Sequence, residues 1–370
     1  MSKKPLALLS LLIPSLLGGD AAALTSRHAG PTDVQQISEP ASRWHLRYAA
    51  DDISQQIIPT TGNQAWLFVT DKGRRTTSLL HWNATSWQPV GNLPKQLRKA
   101  TYIDVRASAP GDMVMVINHV QTEEDLTEHL WQFSGGRWTY HRPRRLLETQ
   151  RTSDFAVLDQ NHTWFAQGDG DGGGWMVHLN GTAWRQERLL GTLTTLAAAG
   201  PEDVWVVDQS GPPRTLHWDG KQWKDFTLPC VSSSSQHACY GRAGGLLLSS
   251  MTARSNNDVW AVGPNWADGA LPVVLHWNGT AWNQVKLTVN DHTALVAVRT
   301  DPVGGVWIAA NPAQAAPYVL NLRDGKWTRS TLPPSKQPVS IVDIAPAAGT
   351  TRLWVHAKQG KGTSAIYELQ

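Results

Sequence analysis

The sequence has little net charge, few cysteines and no long apolar run. Its 370 residues include 33 Lys or Arg and 30 Asp or Glu, so the formal net charge is only +3. That small excess does not indicate a partner such as nucleic acid. The apolar run from Pro5 to Leu17 is too short to span a bilayer, and helix-type periodicity is not evident after it. What the chain has instead is 19 tryptophans.

Tryptophan recurs along the chain in two interleaved series of seven positions. The first series has intervals of 39 to 59 residues: Trp44, Trp87, Trp138, Trp184, Trp223, Trp282 and Trp327. The second runs between these positions at intervals of 41 to 55 residues: Trp66, Met113, Trp164, Trp205, Trp260, Trp307 and Trp354. Repeats of this length made of short strands are typical of a β-propeller, in which each blade is a four-stranded sheet. The chain is therefore predicted to be all-β and seven-bladed.

The hairpins within the repeats support four-stranded antiparallel blades. Asn278-Gly279 lies between the apolar alternation that ends at Trp277 and the strand that begins at Trp282. A two-residue turn of this kind needs positive φ, which Asn and Gly tolerate. Related hairpins precede most tryptophans of the first series.

The two ends of the repeat region are predicted to be neighbours. Arg352–Trp354 and Ile366–Leu369 read as two middle strands with no outer strand after them, whereas Arg43–Tyr48 reads as an outer strand with no hairpin before it. We expect this N-terminal strand to complete the last blade. Residues 42–370 are thus predicted to form a single seven-bladed β-propeller.

The N-terminus resembles an export signal. Lys3 and Lys4 precede the apolar run, and Ala21 to Ala23 supply the small residues that a signal peptidase reads. Residues 1–23 are predicted to be a signal peptide cleaved after Ala23, and residues 24–41 a flexible lead-in. The mature chain is expected to be secreted or periplasmic, without a transmembrane anchor.

Cys230 and Cys239 enclose an eight-residue segment in the longest interval between tryptophans of the first series. In an oxidising compartment two such cysteines are expected to form a disulfide that staples the inserted loop. Free thiols are one alternative. Metal binding together with His237 is another, and it would require further ligands.

The units Asp258–Gly263 and His276–Trp282 resemble the secreted bacterial β-propeller repeats grouped with kelch and galactose-oxidase-like propellers. The resemblance covers nearly all of the mature chain and implies the fold, since proteins with such repeats include lectins, hydrolases, oxidases and scaffolds. The hairpins also look like the Asp-box of sialidases, but Asp219 precedes Trp223 by one residue fewer than that box requires. No copper ligand set or Tyr–Cys pair of the galactose-oxidase type is recognisable.

Two connections carry candidate binding residues. Asp169 and Asp171 lie two residues apart among glycines, as at the start of a Ca²⁺ loop, and the alternative is a plain flexible turn. In another connection Trp266 lies between Asn265 and Asp268, and it belongs to neither series. An apolar ring beside polar groups suits a sugar. Trp175 is likewise outside both series. The alternative for both rings is that they only cover their own blades.

Two further features carry structural or docking hypotheses. The recurring His81, His178, His217 and His276 occupy the same position in different blades, which favours an architectural role such as an interblade hydrogen bond. The acidic segment 119–129 and the basic segment 141–145 read as solvated loops, with a protein-docking surface as the alternative.

The leading hypothesis is an exported, non-enzymatic propeller that binds carbohydrate or another cell-envelope or extracellular ligand. The ligand is expected to contact Trp175, Asn265, Trp266 and Asp268. Ca²⁺ binding at Asp169 and Asp171 is a further expectation. The alternatives are a glycan-cleaving hydrolase or lyase, which would need two carboxylates across one pocket, and a protein-interaction scaffold.

Overall fold

The chain is almost entirely β-structure. The computed structural model describes residues 37–60, 64–71, 76–91, 93–98, 103–108, 113–121, 126–141, 151–168, 173–229, 231, 245–265, 269–289, 292–360 and 362–370. Within these ranges the one helix is α1, Lys95–Arg98, which has four residues. No helix in this part of the chain has the length and hydropathy of a membrane span.

The described strands form seven sheets, which we number along the chain. Two strands precede sheet 1: β1 (Ile37–Ser38) and β2 (Trp44–Ala50). Sheet 1 contains β3 (Asp52–Pro59), β4 (Gln64–Asp71), β5 (Thr76–Asn83) and β6 (Trp87–Pro89). Sheet 2 contains β7 (Ile103–Ala107), β8 (Met113–Gln121), β9 (Leu126–Ser134) and β10 (Arg137–His141). Sheet 3 contains β11 (Arg151–Val157), β12 (His162–Gly168), β13 (Gly173–Asn180) and β14 (Ala183–Leu190).

The remaining four sheets follow the same order. Sheet 4 contains β15 (Leu193–Gly200), β16 (Asp203–Asp208), β17 (Arg214–Trp218) and β18 (Trp223–Thr227). Sheet 5 contains β19 (Ser250–Ser255), β20 (Asp258–Asn265), β21 (Leu271–Trp277) and β22 (Trp282–Gln284). Sheet 6 contains β23 (Thr293–Thr300), β24 (Val306–Pro312), β25 (Tyr318–Arg323) and β26 (Lys326–Thr331). Sheet 7 contains β27 (Val339–Pro346), β28 (Leu353–Gln359) and β29 (Thr363–Leu369).

The N-terminal segment attaches to two sheets in succession. β1 pairs parallel with β26 and is the fifth strand of sheet 6. β2 then pairs antiparallel with β29, with Trp44 opposite Leu369, and is the outer strand of sheet 7. Side chains hold the link between the two strands, since Ser42 Oγ lies 2.7 Å from Ser330 Oγ. The last five residues of the predicted lead-in, 37–41, are thus docked on sheet 6.

The first strand of each sheet contacts the first strand of the next sheet, and β27 contacts β3. Each of these first strands also lies at the edge of its own sheet, so one row of its backbone groups is not used in a ladder. The hydrophobic core lies between the sheets, in clusters that combine side chains of neighbouring sheets.

The two tryptophan series meet between the sheets. Trp205 of β16 packs edge-to-face on Trp282 of sheet 5, with ring centroids 6.0 Å apart. The same contact recurs between the second strand of one sheet and the fourth strand of the next: Trp164 with Trp223, Trp260 with Trp327, and Trp354 with Trp87. Edge-to-face pairs of this kind add about 0.5–1.5 kcal/mol beyond the area they bury. The regular spacing of tryptophans in the sequence therefore reflects an aromatic contact that recurs between successive sheets.

Sheet 2 departs from the predicted register. Met113 was expected to match the second tryptophan series, but it pairs with Ser134 at the end of the ladder. Met115 pairs with Gln132, which corresponds to the pairing of Trp260 with His276 in sheet 5. The prediction was therefore two residues out, because the second strand of sheet 2 has no tryptophan to mark the position.

Candidate ligand-binding site: an axial cavity

A cavity of about 550 Å³ lies where the first strands of all seven sheets converge. The first strand of each sheet, or a residue next to it, contributes to the lining: residues 56–59, 104, 106–108, 154–157, 195–198, 249–253, 296, 299, 300 and 342–346. The volume falls within the range of about 300–1,000 Å³ that small-molecule pockets have.

A chain of polar side chains crosses this cavity from sheet to sheet, and we call it the axial belt (Gln56, Arg106, Asp154, Ser250, Arg299 and Asp343). On one side, Arg299 donates to Ser250 Oγ at 2.9 Å and to Asp343 Oδ1 at 2.8 Å. Gln56 Nε2 then reaches Asp343 Oδ2 at 3.4 Å. These contacts join sheets 5, 6, 7 and 1.

The belt continues through sheets 1 to 4. Arg106 donates to Gln56 Oε1 at 3.3 Å and to Asp154 Oδ1 at 2.9 Å. Asp154 Oδ2 accepts the backbone N–H of Leu196 at 3.0 Å. Thr195 Oγ1 donates to the carbonyl of Leu248 at 3.1 Å and links sheet 4 to sheet 5. Each of the seven junctions between neighbouring sheets is therefore crossed by a hydrogen bond.

Local backbone geometry places the belt side chains. Gln56, Asp154 and Asp343 each come directly after a shift in the pairing register of their strand. A β-bulge turns the following side chain away from the regular alternation, and here it brings the side chain within reach of the next sheet. In sheet 7 the extra residue is Val342, whose side chain is 37% exposed at the cavity wall.

Charges in the belt are balanced. Burial on its own lowers the pKa of Arg106, but the carboxylates of Asp154, Asp343 and Asp104 outweigh burial, so the net effect raises this pKa. Asp154 and Asp343 each pair with an arginine and also accept the backbone N–H of the following residue, at 2.9 and 2.8 Å. Both carboxyl groups are thus held as acceptors in fixed positions.

One titratable group lies behind the belt without a hydrogen bond. His356 of β28 is paired in the ladder with Asp343 and is 1% exposed. Neither ring nitrogen has a hydrogen-bond partner in the described part of the chain. Burial lowers its pKa to about 4, although Asp343 opposes the shift. His356 is therefore neutral at physiological pH.

Trp175 and Asn265, the two described residues that were predicted to bind a ligand, lie at the opposite face from the C-terminal ends of the first strands. This face carries the connections between second and third strands and between successive sheets, and we call it the long-connection face. Trp175, near the start of β13, packs on the cluster of Phe155 and Val177, and the Arg188 guanidinium lies 6.0 Å from its ring centroid. Asn265 ends β20, is 4% exposed and donates to the carbonyl of Val231 at 3.5 Å.

The other predicted site residues lie outside the described residues: Trp266, Asp268, Asp169, Asp171, Cys230 and Cys239. Within the residues that the structure does describe, no group of three or more His, Cys, Asp or Glu side chains could hold a metal.

The recurring histidines stack on tryptophans of their own sheets. Ring centroids of His217 and Trp205 are 4.0 Å apart, those of His276 and Trp260 are 4.1 Å apart, and the other two pairs are His178 with Trp164 and His81 with Trp66. His217 Nε2 lies 2.8 Å from Asp203 Oδ1 in the same sheet. The role is architectural, as expected, but the bond lies within a sheet and not between blades.

Sequence reasoning missed the axial belt because it concentrated on loops and on tryptophans. The available signal was a lone charged residue inside a short apolar strand that precedes a tryptophan strand. Asp154 before Phe155 and Asp343 before Ile344 fit this pattern, as does Arg299 after Val298.

Comparisons with known proteins identify the fold. No protein-family model and no curated protein matches the chain. Among solved structures, YCF48 bound to D1 peptide has a TM-score of 0.56 and 12% identity, over 90% of this chain and 97% of that one. YCF48 from Cyanidioschyzon merolae has a TM-score of 0.55 and 15% identity, over 88% and 98%. A fungal lectin with a six-bladed β-propeller fold, from Aleuria aurantia, has a TM-score of 0.47 and 12% identity, over 78% and 99%. At these identities the likeness concerns the β-propeller fold alone.

Proposed function

We propose that this chain is an exported, non-enzymatic β-propeller that binds an extracellular or cell-envelope ligand in its axial cavity, with carbohydrate as the first ligand class to test. The observation that carries the proposal is the cavity of about 550 Å³, which all seven sheets line and the axial belt crosses. Its walls combine charged side chains, hydroxyl groups and the backbone edges of the seven first strands, which lie at the edges of their sheets. Such a surface offers hydrogen bonds in fixed positions to a polar ligand.

The proposal includes a closed ring of seven blades, with β2 as the outer strand of the last blade. Three observations support it: the pairing of β2 with β29, the contact between β27 and β3, and the hydrogen bonds across each junction. A closed ring fixes the width of the cavity, because no sheet can move outwards without breaking two junctions.

Binding is favoured over catalysis by the state of the belt carboxylates. A glycan-cleaving enzyme needs one carboxylic acid that can donate a proton and a second carboxylate across the pocket. Asp154 and Asp343 each accept from an arginine and from a backbone N–H, and their second oxygens accept from the Leu196 N–H and the Gln56 amide. The oxygens of both carboxyls are thus already engaged by the protein.

A glycan and polysaccharide screen on the mature chain from Leu24, with product release monitored, tests the proposal. Val342→Trp should abolish saturable binding, because the larger side chain enters the cavity from an exposed position. Val303→Trp is the matched control, since Val303 is 47% exposed and does not line the cavity. Loss of binding in both variants, or in neither, would contradict binding in the axial cavity.

The same screen separates the axial cavity from the long-connection face. If Trp266→Ala removes binding and Val342→Trp does not, the ligand lies at the predicted site of Trp266 and Asp268. A Ca²⁺ requirement that Asp169→Asn removes would place a metal in the connection that begins after Gly168. Product release from any polymer would exclude the non-enzymatic proposal.

Peptide binding is a second candidate, favoured by the position of the first strands, which have no further strand of their sheet beside them. An extended segment can add to such an edge through backbone hydrogen bonds, and this chain already adds β1 to the outer edge of sheet 6. YCF48, which has a similar fold, has been solved bound to a peptide. A random peptide library should then yield ligands that compete with each other and are lost in Val342→Trp.

A further inference from the structure

The residue near the end of the third strand that pairs with the first-series tryptophan is an indole in some sheets and a smaller side chain in others, which changes the packing between sheets. In sheet 5 this residue is Trp277, which pairs with Trp282 and packs on Trp205 of sheet 4, with centroids 5.2 Å apart. Sheets 1 and 4 also have a tryptophan there, Trp82 and Trp218, each in contact with the preceding sheet. In sheet 6 the residue in this register is Leu322, opposite Trp327.

A niche lies where that indole is missing. It has a volume of about 290 Å³ and lies between sheets 5 and 6, at the hairpin face, opposite the long-connection face. Leu322 and Val306 on sheet 6 and Trp260 on sheet 5 form its apolar part. Sheet 7 also has a leucine in this register, Leu369, but there Tyr367 belongs to the same buried cluster as Trp307.

The rim of the niche is polar, and one carboxylate organises it. Asp258 Oδ1 accepts from Trp260 Nε1 at 2.7 Å and lies 3.0 Å from His276 Nε2, while Oδ2 accepts from Arg254 at 2.6 Å. Burial alone raises the pKa of Asp258, but His276, Arg254 and the Trp260 N–H outweigh it and lower the pKa. Asp258 is thus ionised, and it holds His276 with its other ring nitrogen, Nδ1, directed away from this bond.

Three hydrogen-bonding groups around the niche are uncommitted within the described residues. They are His276 Nδ1, the side-chain amide of Asn257 and the carboxylate of Asp324. By contrast, both arginines at the niche have partners, because Arg254 pairs with Asp258 and Arg323 donates to Asp301 Oδ2 at 2.6 Å. The free groups are therefore two acceptors and one amide, with no free cation.

We propose that this niche is a second binding site, which takes a single pyranose unit of a glycan. The apolar C–H face of the ring would lie on Leu322, with the largely buried Val306 and Trp260 (2% and 5% exposed) behind it, in the space that an indole fills in sheet 5. Its hydroxyl groups donate to Asp324 and His276 and bond with the Asn257 amide. The volume lies at the lower limit of about 300 Å³ for small-molecule pockets, which suits one sugar ring.

The chemistry of the rim decides against other occupants. An anionic ligand would find both arginines neutralised and Asp324 repelling it. An aromatic side chain would offer no donor to the acceptors of the rim, Asp324 and His276. A polyhydroxylated ring satisfies both parts of the site. This inference concerns the hairpin face and does not rest on the proposed function of the axial cavity.

The test uses methyl pyranosides of glucose, galactose, mannose, fucose and N-acetylglucosamine, with saturation-transfer NMR and calorimetry on the full chain. At least one should bind, and Asp324→Asn should weaken it by at least about tenfold, as expected for a lost hydrogen bond to a charged group. Leu322→Trp should abolish binding, because it restores the indole found in sheet 5. Glu202→Gln is the control, since Glu202 is exposed on the turn between the first two strands of sheet 4 and does not line the niche.

A circular-dichroism melt establishes that each variant is folded. If Leu322→Trp does not fold, Leu322→Phe with Asp324→Asn serves in its place. The proposal is overturned if no pyranoside binds, or if binding persists in Leu322→Trp or Leu322→Phe. Binding that disappears in Val342→Trp but not in the Leu322 and Asp324 variants assigns the sugar to the axial cavity and also overturns the niche.

Discussion

Asp343→Ala should destabilise the entire ring although it changes one partly exposed side chain. Asp343 Oδ1 accepts from Arg299 and from the backbone N–H of Ile344, each at 2.8 Å, and Oδ2 accepts more weakly from Gln56. A hydrogen bond to a charged group contributes about 1.5–3 kcal/mol. Side-chain exposures of 30% for Arg299 and 19% for Asp343 screen the ion pair. Together these contacts predict a loss of about 2–4 kcal/mol in the free energy of unfolding.

Urea titration followed by tryptophan fluorescence measures this loss, and thermal melting should show a decrease of about 3–6 °C. Asp343→Asn should lose roughly half as much, since the amide oxygen still accepts from Ile344 but no longer carries a charge. Glu202→Ala, at an exposed turn, should change stability by less than about 0.5 kcal/mol. If Asp343→Ala behaves like Glu202→Ala, the axial belt does not hold the sheets together.

Three other changes should have effects that the structure specifies. Gly263→Ala should lower the free energy of unfolding by about 2–5 kcal/mol, because the added Cβ would lie 1.9 Å from the Leu247 carbonyl oxygen. The control is Gly211→Ala, whose Cβ meets nothing within 4 Å. In a urea titration this control should be neutral or slightly stabilising. His356→Leu should raise stability at pH 7 by about 1–3 kcal/mol, since it removes two unpaired buried nitrogens. In the wild type the pKa of His356 is about 4 in the folded state and about 6.5 in the unfolded chain. The unfolded chain therefore binds the proton first, and the free energy of unfolding of the wild type falls as the pH drops from 6.5 to 4. His356→Leu should remove this part of the pH dependence. Deletion of residues 42–50 should expose β29 and lower the melting temperature of the whole chain, and a melt in which only part of the signal moves would contradict a closed ring.

The strand content could be predicted from sequence because local chemistry determines it. Hairpins are legible where turns need Asn or Gly: Asn278 Oδ1 accepts the backbone N–H groups of Thr280 and Ala281, and Gly279 has a φ of 93°. Tryptophan marks the repeat in the sequence because its size suits few positions in a core of stacked sheets. Where the marker is absent, as in the second strand of sheet 2, the register was misjudged.

The candidate site could not be predicted in the same way. Partners in the axial belt are far apart in the chain: Arg106 and Asp154 are separated by 48 residues, and Gln56 and Asp343 by 287. Which charges meet depends on how the sheets are arranged around the axis, and no local pattern encodes that. The niche beside Leu322 became visible only when equivalent positions of different sheets could be compared in register.

The docking of the N-terminal segment has a consequence for biosynthesis. β2 leaves the ribosome before any of the seven sheets, whereas its partner β29 follows all the other described strands, and Arg47 of β2 pairs with Glu368 across an interval of 321 residues. Contacts this remote in sequence form late in folding. Until β29 has been made, β2 has no native partner, and sheets 1 to 6 are synthesised without this pairing. A crowded population of nascent chains could therefore exchange this strand, so dimers joined by β2 are the misassembly to look for during expression.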